Sequence, residues 1–146
     1  MVQDGGLCII EHSVDCGVPV EFAWKFWTDV SNWRLDPDVE SVQIDGPFAA
    51  GARGVTNSKS SGRVEWRIAE AQNLRAVIEF PLPNAAGRFL WTFEEVGGHT
   101  RMTQRCTFEG AEAERYVTLI GPGLRDGIPA GMQKLCGAIE RAARLV

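Results

Sequence analysis

Hydrophobic and polar residues alternate from Leu7 to Cys16, which predicts a β-strand because successive strand side chains point to opposite faces. His12 falls on the apolar face of this strand. A helical spacing of apolar residues begins after Pro19, whose missing N–H costs nothing in a first helical turn. Aromatic residues occupy two faces of this short helix, so both faces must be covered by other elements. A second short helical turn around Trp33, capped by Ser31, is predicted to end before Pro37.

The middle of the chain predicts a series of antiparallel strands. Turn residues such as Ser60-Ser61-Gly62 and Gly97-Gly98 separate short alternating segments, as is typical of hairpins. The predicted strands after the first are residues 39–45, 51–59, 63–70, 74–80, 87–96 and 101–109. Residues 112–145 show helical periodicity, with a disturbance expected near Pro129. This order indicates an α+β fold in which a curved antiparallel sheet of about seven strands wraps a long C-terminal helix.

Alternate positions along the predicted strands separate an apolar face from a charged one. Arg and Glu residues of the charged face are expected to pair across neighbouring strands in water. An apolar face beneath a helix ordinarily forms a solid core. Here the facing helix contains small residues that match the large aromatic side chains poorly, and we expect a cavity between them. The small residues are Gly121, Gly123, Gly127 and Gly131.

Composition narrows the possible functions. The chain has 146 residues, 45% of them hydrophobic, which fits one domain (1–146) with its own core. A formal net charge of −4 argues against nucleic-acid binding, which needs clustered Lys and Arg. No apolar run approaches the ~20 residues that cross a bilayer, and no secretory signal pattern is present, so a cytoplasmic protein is expected. The four cysteines form no C-x-x-C pair, so we expect buried thiols without a metal site or disulfide framework. No dinucleotide fingerprint or phosphate loop is present, and no cofactor is expected.

Several short segments share their order with a known family. They are Val14-Asp15-Cys16-Gly17-Val18-Pro19 before Val20-Glu21-Phe22-Ala23-Trp24, Thr28-Asp29 before Trp33, Gly51-Ala52-Arg53-Gly54, Glu65-Trp66-Arg67-Ile68-Ala69-Glu70, Gly98-His99-Thr100-Arg101-Met102-Thr103, and Gly121-Pro122-Gly123 to Gly127-Ile128-Pro129. Together they resemble the polyketide cyclase/dehydrase branch of the START-like (SRPBCC) superfamily over nearly the whole chain. The resemblance implies a helix-grip fold with a pocket for hydrophobic small molecules. It leaves the activity open, because members include carriers, cyclases, dehydratases and proteins that bind other proteins.

His12 is the candidate catalytic residue, because an imidazole titrates near neutral pH and can act as a general acid or base. A histidine on an apolar strand face is also commonly a core residue with a single hydrogen bond. The resemblance implies a comparison with the aromatic-polyketide cyclases of that family, which polarise substrate carbonyls with a pocket arginine and tyrosine. In this chain Arg67 falls on the charged face and the one tyrosine, Tyr116, precedes the long helix, which argues against that chemistry.

Three hypotheses follow. The first is binding or transport of a hydrophobic, lipid- or polyketide-like small molecule by a monomer or homodimer. The second is a polyketide cyclase or dehydratase with His12 as acid/base and Gln104 as hydrogen-bond donor, and the third is a protein-interaction module without a ligand. Clustered inward polar groups would favour the enzyme, an apolar pocket the carrier, and a collapsed pocket the interaction module. The expected ligand-binding residues are His12, Trp33, Trp66, Phe80, Trp91, Gln104, Phe108 and Leu124.

Overall fold

A computed structural model describes residues 6–146. Seven antiparallel strands form one sheet in the order β1-β7-β6-β5-β4-β3-β2. The strands are β1 (Leu7–Cys16), β2 (Val39–Ile44), β3 (Arg53–Ser58), β4 (Gly62–Gln72), β5 (Arg75–Leu82), β6 (Ala85–Val96) and β7 (His99–Glu109). The helices are α1 (Val20–Thr28), α2 (Ala113–Leu119) and α3 (Gly121–Ala143), and a short 3-10 helix spans Val30–Leu35. The predicted α+β helix-grip architecture is confirmed, with the curved sheet around the long C-terminal helix.

The junction between α1 and the 3-10 helix positions two tryptophans. Asp29 Oδ1 accepts a hydrogen bond from the backbone N–H of Ser31 at 3.1 Å, so Asp29, and not Ser31 as expected, caps the 3-10 helix. The indole Nε1 of Trp33 donates to the carbonyl oxygen of Trp27 at 2.8 Å. This bond folds the 3-10 helix back over α1 and turns Trp33 towards the concave face of the sheet.

The two faces of the sheet follow the predicted alternation. Trp66, Trp91 and Phe108 are buried, whereas Glu65 and Arg67 are exposed. On the outer face Arg67 Nη2 lies 2.7 Å from Glu79 Oε1, one of several cross-strand ion pairs. Such exposed pairs contribute only ~0–1 kcal/mol each. Because Arg67 is paired with Glu79 on the outer face, its guanidinium is not available to a ligand on the concave face.

The C-terminal segment forms two helices and not one. The backbone N–H of Ile120 bonds to the carbonyl of Tyr116 at 2.9 Å, which ends α2 before α3 begins. The helix α3 runs continuously from Gly121 to Ala143, so the disturbance expected near Pro129 does not end it. A proline removes only one backbone hydrogen bond from the helix, and burial of the apolar stripe of α3 on the sheet offsets that loss. Within the helix-grip arrangement, α3 packs mainly along β1 at one edge of the sheet.

The cysteines differ from expectation. Cys16 of β1 and Cys136 of α3 are paired in a disulfide, with Cα atoms 5.6 Å apart. They are 120 residues apart in sequence, so only the packing of α3 on β1 reveals the pair. Cys106 is a buried thiol, and burial raises its pKa to about 12. Cys8 is an exposed thiol, contrary to the prediction that it is buried.

No helix within residues 6–146 is long and apolar enough to cross a membrane. In the same range, no group of three or more His, Cys, Asp or Glu side chains is arranged to hold a metal ion.

Candidate functional site

A cavity of about 760 Å³ lies between the sheet and α3. Because α3 packs along β1, the space over the middle of the sheet is left open beside the helix. The 3-10 helix, strands of the sheet and the second half of α3 all contribute to its wall. The expected cavity between the sheet and the glycine-rich helix is therefore present, and Gly127 and Gly131 lie in its wall.

Four tryptophans contribute to the cavity wall. All five tryptophans of the chain belong to one set of ring contacts. Trp27 is its centre, with ring centroids 4.9 Å from Trp91 and 6.0 Å from Trp33. Trp33 in turn lies 5.2 Å from Trp66. Four of the five line the cavity, and Trp24 is the exception. Trp27 lies on α1 three residues after Trp24, and this helical spacing alone did not predict it as a site residue.

Hydrogen bonds and glycines hold two aromatic walls in place. Trp66 Nε1 donates to Thr56 Oγ1 at 2.9 Å, which fixes the plane of its indole. Gly54 pairs in register with Trp66, and a Cβ on residue 54 would stand 2.6 Å or less from three ring atoms of the indole. Phe80 lies over Gly87 in the same way. These rings rest on bare backbone, so side chains at the two glycine positions would displace them.

Three side chains with hydrogen-bonding groups lie side by side on the concave face of the sheet, which forms the floor of the cavity. His12, Gln104 and Trp91 are register partners on β1, β7 and β6. Side chains directly opposed on antiparallel strands share a face and stand with Cβ atoms about 4.5–5.5 Å apart. Gln104 is 8% exposed and lines the cavity, and within residues 6–146 its amide has no hydrogen-bond partner. The indole N–H of Trp91 and the His12 imidazole also have no partner in that part of the chain. The amide and the indole are therefore two donors without a partner within residues 6–146, and they are available to an oxygen atom of a ligand.

Five of the eight expected ligand-binding residues line the cavity, namely Trp33, Trp66, Phe80, Trp91 and Gln104. His12 is half-buried beside Gln104 and lies outside the wall. Phe108 is fully buried behind Phe80, with ring centroids 6.3 Å apart. Leu124, near the start of α3, packs against the core. All three lie outside because α3 covers β1 and the adjacent core, while the cavity opens farther along the sheet.

Charged residues at the mouth of the cavity were not predicted. Lys134 and Arg141 of α3 line it from one side and Asp36 from the other. The two cations are seven residues apart, a spacing that returns to the same face of a helix after two turns. That spacing was visible in the sequence, but nothing local indicated that this helix face borders a cavity.

A second depression of about 490 Å³ lies against the outer face of the sheet. Its wall includes the charged residues Arg53, Glu65, Arg67 and Glu79. Arg67 and Glu79 neutralise each other, and Trp66 is the one aromatic residue among the described residues that line the depression. The larger cavity is therefore the candidate site for an apolar ligand.

Comparisons with known proteins agree with this geometry. A family model described as polyketide cyclase/dehydrase and lipid transport matches residues 8–142. Ara h 8.0201 aligns with a TM-score of 0.72 at 15% identity, over 97% of this chain and 100% of that chain. Norcoclaurine synthase from Thalictrum flavum, in complex with dopamine and hydroxybenzaldehyde, gives 0.72 at 10% identity, over 95% of this chain and 88% of the other. TTHA0849 from Thermus thermophilus gives 0.65 at 18% identity, over 90% and 94%. A search of curated proteins found no significant match. At these identities the solved structures establish a shared fold.

Proposed function

The chain belongs to the polyketide cyclase/dehydrase and lipid transport family, and from that membership we propose that it binds or transports a hydrophobic small molecule in the cavity beneath α3. The observation that carries the proposal is the open cavity of about 760 Å³ with four tryptophans in its wall. Well-packed interiors leave few voids larger than a water molecule, whereas ligand sites typically measure ~300–1,000 Å³. A space of this size and lining suits a flat or elongated apolar ligand.

The aromatic wall of the cavity is already ordered, which supports a high affinity for an apolar ligand. Burying about 200 Å² of apolar ligand surface at ~25 cal/mol per Å² contributes roughly 5 kcal/mol before association costs. Ring stacking adds ~0.5–1.5 kcal/mol for each well-placed aromatic contact. Because Trp33 and Trp66 are already held by hydrogen bonds, little of this gain is lost in ordering the site. We expect affinities in the micromolar range.

Titration with the neutral fluorophore 1-pyrenebutanol tests the proposal, with energy transfer from tryptophan to pyrene as the signal. Trp91→Ala should weaken binding, because Trp91 forms part of the wall. His12→Ala should weaken it less, because His12 lies behind Gln104. Trp24→Ala is the matched control, since it removes a tryptophan of the same cluster that does not line the cavity. The proposal fails if pyrenebutanol leaves tryptophan emission unchanged, or if Trp24→Ala weakens binding as much as Trp91→Ala.

A cyclase or dehydratase is the second candidate, favoured by the row His12, Gln104 and Trp91. The Gln104 amide and the Trp91 indole can donate to a substrate carbonyl oxygen and stabilise the negative charge that develops on enolisation. His12, next to Gln104, would then exchange the proton. This candidate ranks second because His12 does not line the cavity. In addition, Arg67 faces outward, and the Tyr116 hydroxyl donates to the carbonyl of Pro83 at 3.0 Å.

The His12→Ala variant distinguishes the carrier from the enzyme. If His12→Ala leaves pyrenebutanol binding intact but abolishes turnover of a poly-β-ketone substrate, the enzyme replaces the carrier. If the wild-type protein and His12→Ala turn the substrate over at the same rate, His12 is not the acid/base. The cavity is open, so the collapsed pocket that would have favoured a protein-interaction module is not observed.

The proposal also covers the domain organisation, the cellular location, the oligomeric state and the other partners of the protein. Residues 1–146 would act as one ligand-binding domain, supported by the single sheet that joins all seven strands. The protein would work in the cytoplasm as a monomer or homodimer, without nucleic acid, metal or cofactor. Size-exclusion chromatography with light scattering measures the oligomeric state.

A further inference from the structure

The charges at the cavity mouth bear on the chemical class of the ligand. We infer that the ligand is an elongated amphiphile whose apolar body lies on the tryptophan wall and whose carboxylate is held at the mouth by Lys134 and Arg141. This inference rests on the proposed binding function and names the ligand class for that same cavity.

The charge balance of the mouth is the first support. Within the described chain, the charged residues that line the cavity are Asp36, Lys134 and Arg141, which sum to one net positive charge. The whole chain carries a formal net charge of −4, so the mouth is opposite in sign to the protein. Across residues 6–146, neither Lys134 nor Arg141 forms an ion pair with a carboxylate. Asp36 is engaged, since its Oδ1 accepts the backbone N–H of Asp38 at 2.9 Å. One net positive charge complements a monoanion such as a carboxylate.

The placement of the two cations is the second support. Lys134 and Arg141 lie on the same face of α3, two turns apart, with Gly137 between them. Arg141 Nη1 stands 3.2 Å from the point that a Cβ on residue 137 would occupy. The guanidinium therefore lies back over Gly137 towards Lys134, along the edge of the cavity. A guanidinium can bind a carboxylate through two parallel hydrogen bonds, and the lysine ammonium adds a second positive charge nearby.

The interior of the cavity would bind the apolar body of the ligand and one further oxygen atom. Between the mouth and the sheet, six aromatic side chains and several aliphatic ones contribute to the wall, which suits an apolar body. At the floor, residue Gln104 is 8% exposed, and its amide, which has no partner within residues 6–146, would be left without a hydrogen bond by a purely hydrocarbon ligand. A ligand with an anionic end at the mouth and a hydroxyl or carbonyl oxygen at Gln104 would satisfy both places.

A pair of nearly isosteric probes tests the inference: 1-pyrenebutyrate, which ends in a carboxylate, and the neutral 1-pyrenebutanol. An exposed ion pair strengthens binding by up to about fivefold, and two such pairs by up to about 25-fold, so we expect the two cations to favour the acid by about tenfold at low ionic strength. The double substitution Lys134→Gln/Arg141→Gln should bring the acid to the affinity of the alcohol and leave the alcohol unchanged. Lys25→Gln, which removes an exposed positive charge from α1 outside the cavity wall, is the matched control and should preserve the preference. Added salt should weaken binding of the acid only.

The outcomes separate this inference from the proposed function. Equal binding of acid and alcohol by the wild-type protein overturns the carboxylate assignment and leaves apolar binding standing. A preference for the acid that survives the double substitution overturns the roles of Lys134 and Arg141. If neither probe binds, the proposed function fails, and the ligand class fails with it.

Discussion

Gly54→Ala offers a direct test of how the cavity wall is built. The Trp66 ring lies on the backbone of Gly54, its register partner on β3, and Gly54 is itself buried. A Cβ at residue 54 would stand 2.6 Å from Trp66 Cε2 and closer still to two other ring atoms. Carbon atoms in favourable contact are ~3.5–4.0 Å apart. The indole must therefore retreat from the strand by roughly 1 Å or more, and this movement brings it into the cavity that it lines.

Two effects set the magnitude. Overpacking a buried position typically destabilises a protein by ~1–3 kcal/mol. Displacing the ring also strains or breaks the 2.9 Å hydrogen bond from Trp66 Nε1 to Thr56 Oγ1, and a typical hydrogen bond of this kind contributes ~1 kcal/mol. We therefore expect Gly54→Ala to lower the free energy of unfolding by about 2–4 kcal/mol. The ring would also occupy part of the cavity, so pyrenebutanol binding should weaken.

Urea unfolding followed by tryptophan fluorescence measures the loss, and Gly46→Ala is the matched control. A Cβ at Gly46 meets no atom within 4 Å, so that variant should unfold like the wild type. A double-mutant cycle with Trp66→Ala isolates the cause, because without the indole the alanine at residue 54 has no ring to displace. If Gly54→Ala costs as much in the Trp66→Ala background as alone, or leaves stability and binding unchanged in the wild type, the packing argument is wrong.

Gly127→Ala and Gly131→Ala each place a methyl group in open space on α3. Because alanine has a higher helix propensity than glycine, each substitution should raise the free energy of unfolding by about 0.5–1 kcal/mol, as measured by urea titration. A decrease would mean that these positions require glycine. Cys136→Ser removes the cross-link to Cys16 and should cost about 2–4 kcal/mol under oxidising conditions, while a reductant should destabilise the wild type but not the variant. The hydrogen bond from Arg101 lowers the pKa of Asp15, so this carboxylate contributes stability that is present above its unfolded pKa and lost as pH falls through its folded value. Asp15→Asn should therefore flatten the pH dependence of unfolding below about pH 4, and identical acid profiles for the two proteins would contradict the pairing.

The sequence by itself determined the elements and the faces of the sheet. Alternation along a strand is set by local backbone geometry, so Trp66 had to face inward wherever Arg67 faced outward. The same rule placed Trp91 and Gln104 on the concave face, where both line the cavity. The glycines of α3 indicated a gap opposite these aromatics, because a helix surface without side chains cannot fill the space above large rings.

Only the tertiary structure decided where on the concave face the cavity opens. That depends on how α3 lies across the sheet, which is settled by packing between residues more than a hundred positions apart. Because α3 packs along β1, it covers the surroundings of His12 and brings Cys136 against Cys16. The same placement leaves the face of Lys134 and Arg141 at the cavity mouth. Strand and helix periodicity repeat within a few residues, whereas the position of one element on another is the sum of many distant contacts that no local pattern records.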